Sequence, residues 1–123
     1  MQSLTVVLLQ GDARVVQYLV PALANAFSSV QQVQSLSELR HRMARNHADV
    51  AILDVEAAPL SEVELLSKDF SGVSIVCTHR LADEALWAAA LQAGAADMCP
   101  ANDIPCIVHA ALRHAGRRRS AAA

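Results

Sequence analysis

Apolar residues along this chain follow two rhythms, short and largely apolar runs and longer stretches with a period near 3.6. The runs are Leu4 to Leu9, the apolar centre of DVAILDV (Asp49 to Val55), and Val73 to Cys77 in GVSIVCTHR. The central run is β-branched at Val50 and Ile52 and shows no polar alternation. That is the pattern of a strand covered on both faces, as in a parallel sheet between helices. Ser29 to Val33, polar at alternate positions, reads as a short edge strand, and Ala95 to Cys99 as a brief last strand.

Helical spacing fills the intervals. Asp12 is a good N-cap, and Val16, Leu19, Val20, Leu23 and Phe27 then form one apolar stripe, with Pro21 on the opposite side. Ser35-x-x-Glu38 is a capping box ahead of Leu36, Leu39 and Met43, and Asn46-His47 closes that helix. An irregular loop follows from Glu56 to Leu60. Ser61-x-x-Glu64 then reads as a second capping box, for a helix with Val63, Leu66 and Phe70 on its apolar side. A fourth helix spans about Leu81 to Ala93, with Leu86, Ala89, Ala90 and Ala93 inward, and stops at Gly94. Asp103 caps a fifth, lined by Ile104, Ile107, Val108, Ala111 and Leu112 and ended by Gly116. Five strands alternating with five helices make a doubly wound parallel sheet with helices on both faces. Two sub-types compete, a dinucleotide-binding half and a flavodoxin-like sheet of order 2-1-3-4-5. Only Gly11 stands in the first strand-to-helix turn, and GxGxxG is absent.

Composition narrows the class. Hydrophobic residues make up 54% and aromatics 3%, so the core must be aliphatic. At 123 residues the expectation is one domain, residues 1–116, with 117–123 a basic and Ala-rich tail or linker. A net charge of −2 sets up no global field toward nucleic acid or an anionic membrane. Arg117 to Arg119 reads as a solvated tail. The apolar run near the start is too short for a signal peptide, and no run reaches the roughly 20 residues of a membrane span. The expected setting is therefore the cytoplasm. Three cysteines without CxxC spacing make neither a zinc site nor a disulfide framework. Cys77 and Cys106 read as small reduced core residues, and a redox role for Cys99 beside Cys77 is the alternative.

Candidate chemistry gathers at strand ends, where an open α/β sheet places its crevice. Asp54 ends the central strand, and a carboxylate buried there needs a partner. Three stretches resemble the receiver domain of bacterial response regulators over roughly Leu4 to Gly116. DVAILDV resembles the third strand, which implies a phosphoacceptor role for Asp54. SIVCTHR resembles the fourth, which implies a switch hydroxyl at Thr78. ALQAGAADM is similar to the family's Ala-x-x-Gly-Ala-x-Asp stretch before the last strand. The implied fold is the flavodoxin-like one, order 2-1-3-4-5.

The departures from that pattern fall on the chemistry. The family holds Mg²⁺ with a pair of acids ending strand one, and Gln10-Gly11 occupies that place, leaving Asp12 as the one nearby acid. The phosphate-binding lysine position is Ala101, and Lys68, in helix three, is the only lysine of the chain. The aromatic switch position is Met98. Without cation and lysine, phosphoryl transfer loses its charge neutralisation. Asp54 then reads as a structural or capping carboxylate against a phosphoacceptor, Asp12 as a cap before a metal ligand, and Thr78 as an N-cap of helix four whether or not it also switches. His79 and Arg80 are the candidates to restore positive charge beside Asp54.

Trp87 and Leu91, spaced i, i+4 and off the core face of helix four, are the candidate interface anchors. The resemblance implies docking or self-dimerisation through the helix four, strand five, helix five face, with a histidine kinase or an attached output domain as partners. The leading reading is an atypical receiver acting through protein contacts, with phosphorylation of Asp54 weak or absent. The alternatives are a working phosphoacceptor, which would need Mg²⁺ at Asp12 and Asp54 and hydrolyse its own phosphoryl group, and a small-ligand sensor.

Overall fold

In the computed structural model, backbone is described for residues 2–122 and side chains for residues 4–115. The elements alternate strictly: β1 Gln2–Leu9, α1 Ala13–Ala24, β2 Phe27–Val33, α2 Leu36–Asn46, β3 Val50–Asp54, α3 Leu60–Asp69, β4 Ser74–His79, α4 Glu84–Ala93, β5 Asp97–Pro100 and α5 Ile104–Ala122. The strands form one sheet in the order β2-β1-β3-β4-β5. All four pairings are parallel. This is the flavodoxin-like arrangement expected from the pattern.

β3 is buried at every position, which is why Val50 to Leu53 is an unbroken apolar run. Its side chains alternate between two cores. On one face Val50 and Ile52 join Val6 and Leu8 of β1, Leu19 of α1 and Ile107 of α5. On the other, Ala51 and Leu53 join Val7, Leu9, Leu39, Met43, Val63 and Leu66, under α2 and α3. Both cores are aliphatic, and Phe27 is the one large aromatic fully enclosed among the described residues.

Several boundaries differ from those predicted. The centre line of α1 is Val15, Leu19 and Leu23, with Val16 half-buried. Phe27 belongs to β2 instead of the helix. The second capping box does not form. Ala57 and Ala58 N–H both donate to the Asp54 carbonyl, a tight turn that starts α3 at Leu60 behind Pro59. Ser61 therefore lies inside the helix, and Glu64 pairs with Lys68 at 3.2 Å. α4 starts later than expected because Asp83 caps it, accepting from Leu86 N at 2.8 Å. α5 continues past Gly116, because its N–H to carbonyl ladder outlasts the apolar pattern used to end it. The side chains of Arg117 to Arg119 lie outside the described residues. The Ser35 half of the first capping box forms, with Ser35 Oγ accepting from Glu38 N at 3.1 Å, while Glu38 Oε1 takes the N–H of Gln34, one residue before the cap, at 2.8 Å.

Gly94 stops α4 in the left-handed region, at φ 110°. A Cβ there would stand 2.6 Å from Ser67 Cβ, so both backbone conformation and the α3–α4 contact require glycine. No described helix is long and apolar enough to cross a membrane.

Candidate functional site at the carboxyl edge of the sheet

The strand order reverses between β1 and β3, and the helices leaving those strands diverge to opposite faces. That divergence opens a crevice at the carboxyl edge. The cleft has a volume of about 450 Å³ and is lined by Gly11, Asp12, Ala13, Asp54, Glu56, Ala57 and Arg80. In the ladder Asp54 lies directly beside Thr78. The two residues singled out from strand ends are thus neighbours.

Asp54 is only 3% exposed, and each of its carboxylate oxygens accepts one backbone N–H. Oδ2 accepts the Gly11 N–H at 3.0 Å and Oδ1 accepts the Glu56 N–H at 2.9 Å. Glycine at position 11 permits this approach, since a Cβ would come within 3.2 Å of Oδ2. The carboxylate therefore ties the β1–α1 turn to the β3–α3 turn.

Thr78 is wholly buried, in β4 and not at the start of α4, so the helix-capping role expected for it falls to Asp83. Its hydroxyl accepts from Gln10 Nε2 at 3.1 Å. The other end of the same amide, Gln10 Oε1, accepts the Asp12 N–H at 3.1 Å. Gln10 is thus a bridge across the edge of the sheet, from β4 to the start of α1. Asp12 Oδ1 accepts from Arg14 N at 2.9 Å, the capping role expected of it.

Arg80 borders the cleft, His79 precedes it in the chain, and both side chains turn to Glu56. Arg80 Nε donates to Glu56 at 2.9 and 3.1 Å, and His79 Nε2 lies 3.7 Å from Glu56 Oε1. The hydrogen bond and the charge of Glu56 push the Arg80 guanidinium above its ordinary range, with smaller contributions from Asp12 and Asp54. His79 Nδ1 also accepts the Leu81 N–H at 2.9 Å. The positive charge of Arg80 is thus directed to Glu56, two residues along from Asp54, and the His79 ring faces the same carboxylate.

The crevice offers Mg²⁺ the carboxylates of Asp12 and Asp54, with the neutral Gln10 amide in place of a second acid at the end of β1. Such an ion takes oxygen ligands in near-octahedral geometry and retains several waters. Here one Asp12 oxygen caps a helix, both Asp54 oxygens hold N–H groups, and the Gln10 amide is turned to Thr78 and Asp12 N. Among the described residues no group of three His, Cys, Asp or Glu side chains is placed to hold a metal.

Three solved structures align over nearly their whole length and nearly all of this chain. A signal receiver domain of a two-component response regulator from Bacteroides fragilis superposes with a TM-score of 0.82 at 19% identity, covering 93% of this chain and 98% of that one. A response regulator from Thermotoga maritima gives 0.83 at 16%, with 94% and 99% covered. The signal receiver domain of the response regulator NarL from Mycobacterium tuberculosis gives 0.79 at 20%, with 94% and 98% covered. The fold is that of a response-regulator receiver domain. No family model and no curated relative matches the chain at the level of sequence.

On this receiver fold, Ala101 and Met98 are both buried, at 2% and 6% exposure, so two positions expected to carry polar or aromatic switch groups are ordinary core. Trp87 stands 45% exposed on α4, and Leu91 is half-buried. The Trp87 indole N–H donates to Asp97 Oδ1 at 3.3 Å, while Asp97 Oδ2 lies 3.6 Å from His114 Nε2. Asp97 thereby links α4, β5 and α5. Sequence reasoning missed Gln10 as a bridge and Glu56 as the sink for local positive charge. The only available signal for Glu56 was an acid closely following Asp54.

Proposed function

We propose that this chain is a receiver-type signalling module that works through protein contacts, with Asp54 serving as a structural carboxylate and little or no phosphoryl transfer. One observation carries the reading: both Asp54 oxygens hold backbone N–H groups, while a neutral glutamine bridges to Thr78. Phosphoryl transfer to a carboxylate needs cations to neutralise the incoming and developing charge. Asp12, Asp54 and Glu56 make the cleft acidic, and Arg80 is paired to the last of them. An approaching phosphoryl group meets repulsion, and the one cation among the described residues that line the cleft, Arg80, is paired to Glu56.

The test uses a small phosphodonor, acetyl phosphate, with and without millimolar Mg²⁺, read by intact mass. The expected outcome is no Mg²⁺-dependent adduct. An adduct that needs Mg²⁺ and disappears in Asp54→Asn would establish the working phosphoacceptor instead. A small-ligand sensor would show itself in the same samples as a rise in unfolding temperature with nucleotide or metal alone.

The contact surface in this reading is the face carrying Trp87 and Leu91, and its occupant is a protein: a kinase, an output domain or a second copy. A half-exposed tryptophan next to a shallow hollow formed by Ala82, Met98 and Pro100 supports it. Tryptophan anchors at such positions contribute about 2 kcal/mol or more. Trp87→Ala should therefore weaken dimer or partner association about 30-fold in sedimentation or titration calorimetry. Unchanged association would remove Trp87 from the interface.

A further inference from the structure

We propose that Cys99 and Cys106 form a reversible intrachain disulfide that clasps β5 to the first turn of α5. This goes beyond the signalling role and does not rest on it. The two sulfurs lie 2.9 Å apart, with the Cys106 thiol donating to Cys99. The sequence pattern placed Cys99 beside Cys77, but that pairing does not occur. Cys77 packs in the core under α2, α3 and α4, whereas Cys99 packs with α1 and α5 on the opposite face of the sheet. Strand alternation separates neighbours on β4 and β5 in this way: Cys77 is in register with Met98, and Cys99 with Thr78.

Each sulfur is carried by an element fixed independently of the other. Cys99 sits in β5, hydrogen-bonded along β4. Cys106 sits in the first turn of α5, where its N–H donates to the Asp103 cap at 3.2 Å. Bond formation requires the sulfurs to close from 2.9 Å to about 2.05 Å.

Exposure decides the order of events. Cys106 is half-buried and reachable, while Cys99 is fully buried. Burial, together with the Cys106 hydrogen bond, pushes the Cys99 thiol above its ordinary range, which makes it the second sulfur to react. With oxidised glutathione, the Cys106 thiolate attacks one glutathione sulfur. The glutathione S–S bond breaks, and the first glutathione leaves as a thiol, carrying the proton that Cys106 lost. Cys99, on losing its own proton, attacks the Cys106 sulfur and expels the second glutathione, which takes up that proton. Two protein thiols are oxidised to one disulfide, and one glutathione disulfide is reduced to two thiols. The high thiol pKa of Cys99 slows the second step, and the short sulfur separation offsets it. Cys77, raised to about 12 by burial, is a built-in control that stays reduced.

The loop closed by this bond contains Ala101, where the receiver lysine would stand, and Pro100, which borders the hollow next to Trp87. Oxidation would therefore stiffen the corner joining the crevice to the α4–β5–α5 face.

The experiment incubates the reduced full chain with oxidised glutathione, blocks remaining thiols with N-ethylmaleimide after denaturation, and maps peptides. The expected product is lighter than the reduced chain by about 2 Da before blocking, the mass of two hydrogens. It carries a Cys99–Cys106 cross-linked peptide with Cys77 blocked, and dithiothreitol reverses it. Cys106→Ser should lose that product and Cys77→Ser should keep it. The map on the unsubstituted chain stands even if a variant folds poorly. A lasting glutathione adduct on Cys106 with Cys99 still blockable, a bridge to Cys77, or three blockable thiols throughout would overturn the proposal.

Discussion

Replacing Asp54 with alanine is expected to lower the stability of this domain by about 2–4 kcal/mol, although the residue lies at the edge of a cleft. The carboxylate takes one N–H on each oxygen, from Gly11 on one side of the crevice and from Glu56 on the other. Removing it strips both part-buried N–H groups of a charged acceptor, and a hydrogen bond to a charged group contributes about 1.5–3 kcal/mol. An opposing effect is relief of repulsion from Asp12 and Glu56. Both are partly solvent-exposed, and interactions between exposed charges are worth about 1 kcal/mol or less. The hydrogen-bond loss wins. Asp54→Asn should cost less, about 1–2 kcal/mol, because an amide oxygen still accepts one N–H while its NH₂ faces the other donor. Urea unfolding curves for the three proteins check the order. A cleft that existed to hold a reactive, strained acid would show the reverse, with Asp54→Ala as stable as the parent chain or more so.

Ile52→Ala and Leu53→Ala should each cost about 2–5 kcal/mol, in separate cores. These residues are adjacent in β3, both fully buried, and point to opposite faces of the sheet. Each truncation removes a side chain from a closely packed layer and leaves a cavity that the surrounding strands cannot close. Against a total stability of about 5–15 kcal/mol for a domain of ordinary size, either loss is a large share. Chemical unfolding midpoints measure both. A sheet with helices on one face only would tolerate one of the two substitutions, so near-equal losses are the specific signature of a doubly covered β3.

The receiver fold was legible because its signals are local. Apolar runs at Val6 to Leu9 and Val50 to Leu53 mark strands buried on both sides, and Asp12, Ser35 and Asp103 cap the helices they were expected to cap. Errors arose where local signals compete. Ser61-x-x-Glu64 satisfies the capping pattern, yet the Asp54 carbonyl accepts two N–H groups and starts α3 before Ser61. Thr78 could cap a helix, but β4 carries it one residue short of its own end, and Asp83 caps α4.

By itself the sequence determined the element types, their parallel arrangement, the aliphatic core and the placing of Asp54 and Thr78 at strand ends. Hydrophobic period and capping chemistry act over a few residues, so they can be read without coordinates. Only the tertiary structure decided what those side chains bond to. Gly11 reaches Asp54 across 43 positions and Gln10 reaches Thr78 across 68. The diversion of Arg80 to Glu56 and the meeting of Cys99 with Cys106 likewise depend on how strands, helices and turns come together in space. Bond direction and rotamer choice at a sheet edge follow from that packing, and no pattern along the chain encodes them.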